Sequence, residues 1–315
     1  MIGYVTGRLG QLLPVLLAAS ACIFAMIYAV PGGPVGVLVG ENATPEQIAA
    51  VTAQFGLDRP VLVQYLDWLQ RALQGDLGTS LHSREPVLKL IGERLPATIQ
   101  LALTSTLVGL LVGVPLAMAS ALTQGSWLDR ALSGWSALAL GVPTFWVGIL
   151  LILLFAVELR LLPAASAYVP FWESPWQMLR HSILPAATLG LYVSGIFARF
   201  LRGSLITELH ADYVRTARSK GLRERTIVIR HVMRNALLPF VTIVGIMLAG
   251  FIGGAVVTEA VFTYPGLGRL LIQSISSRDY PLIQGCILVI LLMYMLINLL
   301  VDILYVYIDP RIDYG

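Results

Sequence analysis

Apolar residues in this chain fall in long, nearly uninterrupted runs, at residues 9–30, 98–123, 131–157, 183–201, 237–258 and 282–308. Each approaches or exceeds the roughly 20 residues an α-helix needs to cross a hydrocarbon core about 30 Å thick. The pattern predicts an all-α polytopic membrane protein with six transmembrane helices. Polar stretches between the runs organise the chain into an N-terminal segment with the first transmembrane helix (1–30), a loop region (31–97) and a five-helix core (98–315) that carries a large loop at 203–238.

Segment 31–97 reads as short helices and turns. Pro31-Gly32-Gly33-Pro34 is a turn signal. Thr44, Pro45 and Gln47 form a capping pattern that starts a helix through about residue 54, and Gly56 stops it. Pro60 opens a second helix with Val63, Leu66, Leu69 and Leu73 on one face, ending near Gly75. So small a segment is marginal alone, and it is expected to pack on the mouth of the helices.

Composition strengthens the membrane reading. Hydrophobic residues make up 57% and charged residues 12% of the chain, with a mean hydropathy of +0.79, whereas soluble domains carry about 25% charge. Charge also sets orientation, because Lys- and Arg-rich short loops stay in the cytoplasm. Residues 199–234 hold nine Lys/Arg against three acids. That loop is expected inside, which places both termini inside and segment 31–97 outside. The first run, 22 residues long, exceeds the roughly 7–15 residue core of a signal peptide, so a retained helix is expected. Cys22 and Cys286 both fall in predicted helices and read as packing residues.

Within the basic loop, Asp212 is placed to cap a short helix with Tyr213, Val214 and Ala217 as an apolar strip, and Gly221 is placed to end it. A second short helix follows, in which Ile227, Val228, Val232 and Met233 alternate with Arg225, Arg230 and Arg234. Charge alone favours an amphipathic hairpin lying on anionic membrane lipid. A protruding glycine corner rimmed by arginine also suits insertion into a protein cleft.

The chain lacks the motifs of several chemistries. Neither Lys89 nor Lys220 lies in a phosphate-cradling Gly-Lys-Ser/Thr loop, and the four histidines form no zinc-protease pattern. No catalytic residue, resident metal, cofactor or nucleic-acid partner is expected. An ion-coupled carrier, an alternative class, is expected to show inverted repeats, and none is visible. Small residues of the fifth run, among them Gly250, Gly253 and Gly254, offer a smooth face for helix packing or for a translocation path, with Glu259 at its outer end.

Tyr213-Val214-Arg215-Thr216-Ala217-Arg218-Ser219-Lys220-Gly221-Leu222, with Leu238-Pro239 beyond it, resembles the cytoplasmic EAA loop of permease subunits of ATP-binding-cassette importers, in the form found in the dipeptide, oligopeptide and nickel branch. The likeness extends to Phe55-Gly56-Leu57-Asp58-Arg59-Pro60, Gly75-Asp76-Leu77-Gly78-Thr79-Ser80, Leu95-Pro96-Ala97-Thr98, Glu259-Ala260-Val261-Phe262, Arg278-Asp279-Tyr280-Pro281 and Asp309-Pro310-Arg311. Arg215-Thr216-Ala217 stands where the wider pattern has Glu-Ala-Ala, and Gly33 where this branch commonly has aspartate. The resemblance implies a type I ABC importer permease fold in a bacterial or archaeal plasma (inner) membrane. It implies a homologous second permease, two ABC ATPases that hold ATP and Mg, and an extracytoplasmic solute-binding protein. It also implies coupling contacts to the ATPase through Tyr213, Ala217, Gly221 and Leu222, with Arg215, Arg218 and Lys220 as rim charges. Peptides are the cargo it points to first, with nickel chelates, glutathione or opines as alternatives.

Overall fold

The computed structural model describes residues 2–29, 33–39 and 44–308. Pro31-Gly32 of the first turn and the terminal Asp309-Pro310-Arg311 lie outside them. The regular structure of the described residues is helical, with no strand and one isolated β-bridge between Thr79 and Pro86. In chain order the helices are α1 (Ile2–Ala25), α2 (Gly33–Val39), α3 (Pro45–Phe55), α4 (Val61–Leu73), α5 (Val87–Leu122), α6 (Trp127–Gly141), α7 (Thr144–Leu151), α8 (Pro175–Leu209), α9 (Asp212–Ser219), α10 (Glu224–Thr226), α11 (Met233–Gly254), α12 (Val256–Val261), α13 (Leu267–Ser276) and α14 (Tyr280–Ile308). Among the described residues five stretches are long and apolar enough to span a bilayer, and one further pair of helices, bent at a break, meets the same test when taken together.

That bent pair corrects the expectation of one straight helix over 131–157. α6 and the segment from Thr144 to Glu158 meet at 98°. Pro143 cannot continue the hydrogen-bond ladder and forces Val142 out of the helical region, to φ −92° and ψ 128°. The run over 237–258 is also divided, since α11 ends at Gly254 and α12 begins at Val256. α5, with 36 residues, is about 54 Å long at 1.5 Å per residue, so it projects well beyond one bilayer core.

The chain folds into two compact units. The first comprises the described parts of 1–96 and 266–295. Its core gathers Val87, Ile91, Leu267, Leu270, Leu282 and Cys286. An added Cβ on Gly285 would meet Val87 Cγ1 at 2.4 Å, so side chains from the start of α5 pack directly on the α14 backbone. Cys286 packs as expected, whereas Cys22 is exposed. Ser80 Oγ donates to the buried carboxylate of Asp279, which also receives the Leu81 N–H and the N–H of Leu282 in the first turn of α14. Two sequence markers 199 residues apart therefore meet at one cap.

α3 and α4 form close to their expected bounds, and positive φ at Gly56 and Gly75 ends each. The face of α4 differs. Val63, Leu66 and Leu73 are exposed, and the helix packs instead through Tyr65 and Trp68, whose rings lie 5.6 and 5.8 Å from that of Phe24 on α1. Aromatic area and the Ser20–Tyr65 hydroxyl contact at 2.8 Å outweigh aliphatic periodicity here.

The second unit comprises 97–265 and the described part of 296–315. α8 is its central element, packed against α6, α7, α11 and α12. Ser174 caps it by accepting from Gln177 N, and Pro175 occupies its first turn. Glycines permit close approach on both sides. A Cβ on Gly113 of α5 would lie 2.8 Å from Phe197 Cβ and 2.9 Å from Ser194 O, and one on Gly195 would lie 2.8 Å from Ala139 Cβ of α6. Between helices in lipid, such packing replaces the hydrophobic drive that water supplies to soluble proteins.

Gly113→Ala is expected to destabilise the protein by about 2 kcal/mol through overpacking. Gly203→Ala, at an α8 position with open space around it, is expected to leave stability unchanged or raise it, since alanine is the better helix former. Thermal unfolding of both variants in mild detergent checks the contrast, and equal behaviour would refute the packing argument.

Candidate functional site

The basic loop folds as a tight corner between α9 and α10. Gly221 adopts φ +75°. Its N–H donates to Arg218 O at 2.9 Å, and the Leu222 N–H donates to Ala217 O at 3.3 Å, the paired bonds of a Schellman cap. Only glycine takes this left-handed conformation without cost. The Arg218 guanidinium bridges the corner to Glu224, with Nε 2.5 Å from Oε1. Both side chains are exposed, and such pairs contribute at most about 1 kcal/mol.

The apolar strip predicted for α9 turns into the protein. Val214 is fully buried and Ala217 nearly so, together with Ile227, Val228 and Val232 of the following π-helical turn. Tyr213 Oη donates to Glu208 Oε2 at 2.6 Å, and Asn235 Nδ2 donates to the same oxygen at 3.4 Å. Partial burial and the adjacent Glu208 carboxylate push the Tyr213 phenol up to about 12, which keeps it a neutral donor. α9 is thus fastened to the end of α8 and the start of α11. Arg215, Arg218, Lys220, Gly221 and Leu222 remain exposed.

A second fastening lies nearby and escaped the sequence reading. Asp129, in the first turn of α6, receives Nε and Nη2 of Arg202 on α8 at 2.8 Å each. Ser120 Oγ of α5 and the Gly125 N–H complete its shell. Three helices meet at this one carboxylate. Its sequence signal is thin, a lone acid with Ser126 three residues before it as N-cap.

The residues considered for a translocation path separate. Gly250 and Gly254 line a cavity of about 490 Å³ with the α6–α7 break at Gly141-Val142-Pro143, and with Tyr192, Met247 and Phe251. Gly253 is exposed and outside that lining. Glu259 is fully buried on α12 and accepts from Thr98 Oγ1 at 2.8 Å. The sequence reading carried one apolar run through Gly141-Val142-Pro143 and anticipated neither the break nor its place opposite Gly250 and Gly254. Among the described residues no cluster of three or more His, Cys, Asp or Glu is arranged to hold a metal.

Six apolar spans, one of them broken, with a charged glycine corner between the last two long segments of the second unit, define a polytopic membrane protein of the importer permease class. The chain belongs to the family of binding-protein-dependent transport system inner membrane components. That family's model matches residues 113–314, and a model of the N-terminal region of such membrane components matches residues 1–102. A peptide transport system permease protein of Brucella suis is 40% identical over 314 residues, covering all of both chains. The glutathione transport system permease protein GsiC of Salmonella choleraesuis is 41% identical over 314 residues, again covering all of both. Two structures of the methionine ABC transporter MetNI share the fold, with TM-scores of 0.57 and 0.58 at 18% and 17% identity, covering 70% of this chain and 96% and 97% of theirs. The protein is a multi-pass, non-catalytic permease subunit of an ABC importer.

Asp129→Ala removes the counter-charge of the Arg202 guanidinium in a largely buried site, leaving it only the Ser120 hydroxyl at 2.9 Å, and is expected to cost about 3 kcal/mol. Combining it with Arg202→Met is expected to recover most of that loss. A double-mutant cycle on thermal unfolding in detergent measures the coupling, and simple additivity would show that the pair does not act as a unit.

Proposed function

We propose that this chain forms half of the translocation path of a peptide importer in a bacterial or archaeal inner membrane. It pairs with a homologous permease, two ATPases that bind ATP and Mg, and an extracytoplasmic solute-binding protein. Both termini lie in the cytoplasm, because the basic loop fixes the orientation of the spans.

The observation that carries the mechanism is the rigid, outward-pointing corner. Arg215, Arg218, Lys220, Gly221 and Leu222 are the surface that meets the ATPase, and Tyr213 and Ala217 hold that surface in place. Closure of the ATPases on ATP shifts the balance between inward- and outward-facing states only through differential contact with this corner. A corner locked by a Schellman cap transmits a push to α8 and α11 without bending. The cavity at the α6–α7 break, with Gly250 and Gly254 on its wall, is this subunit's part of the path. Gly253 lies beside it on α11, and Glu259 braces the following helix, α12.

Peptide cargo is the first reading, since relatives of full length at 40% identity are described as peptide permeases. Glutathione, itself a small peptide, is the second, favoured by the relatives of equal coverage described as glutathione permeases.

Gly221→Asp tests the corner. Aspartate tolerates the left-handed conformation better than most residues, and an added Cβ would meet nothing within 4 Å on this chain, so the variant is expected to insert and fold. Its ATPase partners are expected to be lost on affinity purification and its peptide uptake to fall to background. Wild-type levels of co-purified ATPase and of solute-stimulated hydrolysis would refute the assignment.

A further inference from the structure

The first unit holds a second cavity, of about 660 Å³, walled by the end of α1, by α4, by residues 76–84 and by the start of α14. It lies in the region that the charge bias assigns to the outside. Its wall mixes rings, Tyr28 and Trp68, with polar groups, and most of those polar groups already have partners. Gln64 Oε1 accepts from Tyr28 Oη, and its Nε2 donates to Arg59 O at 2.8 Å. Gln284 Nε2 donates to Ile23 O at 3.1 Å, Ser80 Oγ is held by Asp279, and Asp76 Oδ1 receives the Gly78 N–H at 2.9 Å.

Two guanidinium groups are different. Arg71, in the last turn of α4, and Arg84 both line the cavity, and neither side chain has an ion-pair or hydrogen-bond partner among the described residues. The neighbouring acid on α4, Asp67, is instead paired with Arg59. Arg84 also holds a left-handed backbone, φ +61°, a conformation that costs a long side chain about 1 kcal/mol or more. It is kept there by its own N–H donating to Ser80 O at 3.1 Å and by the Ser80–Asp279 anchor beneath. A strained residue held by a buried anchor, with its charge on a cavity, is the pattern expected of a ligand clamp.

We propose that this cavity captures a small solute through its free carboxylate. Arg71 and Arg84 supply the paired N–H donors, whose planar geometry suits a carboxylate. Trp68 and Tyr28 cover the apolar part of the solute, and the free oxygen of Asp76 faces a cationic amine. The volume falls within the range of small-ligand sites. The site rests on the orientation and cargo class proposed above. It adds a selective step on the permease itself, for solutes with a free C-terminal carboxylate over those whose carboxylate is masked.

The test uses the complete importer in lipid nanodiscs without its solute-binding protein, probed by saturation-transfer NMR with dialanine, dialanine amide and N-acetylalanine. Dialanine and N-acetylalanine are expected to bind, and the amide about tenfold more weakly, the loss of one charge-assisted contact. Arg71→Gln combined with Arg84→Gln is expected to abolish the preference for the acid, while Arg59→Gln leaves it intact. Equal binding of acid and amide, or a preference unchanged in the double variant, overturns the proposal. It also falls if the double variant binds all probes normally but loses stimulation by the solute-binding protein, which would assign the arginines to an acidic face of that protein. N-acetylalanine binding that depends on both arginines, in an importer that transports no peptide, supports the site and refutes the peptide cargo.

Discussion

Close approach of backbones along α8 is the constraint on which the second unit depends. Gly109 and Gly113 of α5, Gly190 and Gly195 of α8 and Gly148 of α7 all face neighbours with no room for an ordinary Cβ. Dispersion over such contacts is what joins helices whose lipid-facing sides are as apolar as the lipid itself. Once α8 is clasped by α5 and α6 in this way, its two ends acquire fixed neighbours. At one end lies the Asp129–Arg202 pair and, about two turns further on, the start of α9 and its corner. Toward the other lie α12 and Phe262, whose ring sits 3.0 Å from where a Cβ of Gly148 would be. The corner and the cavity are therefore attached to one rigid element.

Polar side chains in so apolar a chain are few, and the structure uses them as joints. Ser80 with Asp279, Thr98 with Glu259 and Asp129 with Arg202 each connect elements far apart in sequence. A buried polar group without a partner costs a few kcal/mol in a low-dielectric interior, so each joint admits one register of its helices and penalises others. Several of these residues belong to the short motifs that carried the family resemblance. Their role in the structure is to fix geometry, and no cluster among them has the arrangement of a catalytic centre.

Function follows from the contrast between the joints and the two places left open. The corner at Gly221 is held from within by Val214, Ala217 and the Tyr213–Glu208 bond, and presents charge and backbone outward. The cavity at Gly250 and Gly254 exists because Pro143 breaks a helix and glycine leaves space opposite the break. Both are regions where side-chain bulk has been withheld, and they are the two to which the proposed function assigns a partner and a solute.

The sequence by itself determined the number of spans, the charged hairpin, the glycine stop at residue 221 and the small helices of segment 44–74, because each rests on local rules of length, capping and periodicity. The ring contacts that seat α4 were not legible, since their partner, Phe24, is remote in sequence. The apolar strip of α9 was legible as a strip, yet its direction was not, for an amphipathic helix does not say whether its greasy side meets its own chain or another. The Asp129–Arg202 joint, 73 residues apart, and the cavity opposite the Pro143 break were decided only by tertiary structure. Helix packing in a membrane is set by where small residues on different helices come together, and a linear pattern records each helix's own face without recording which neighbour it meets.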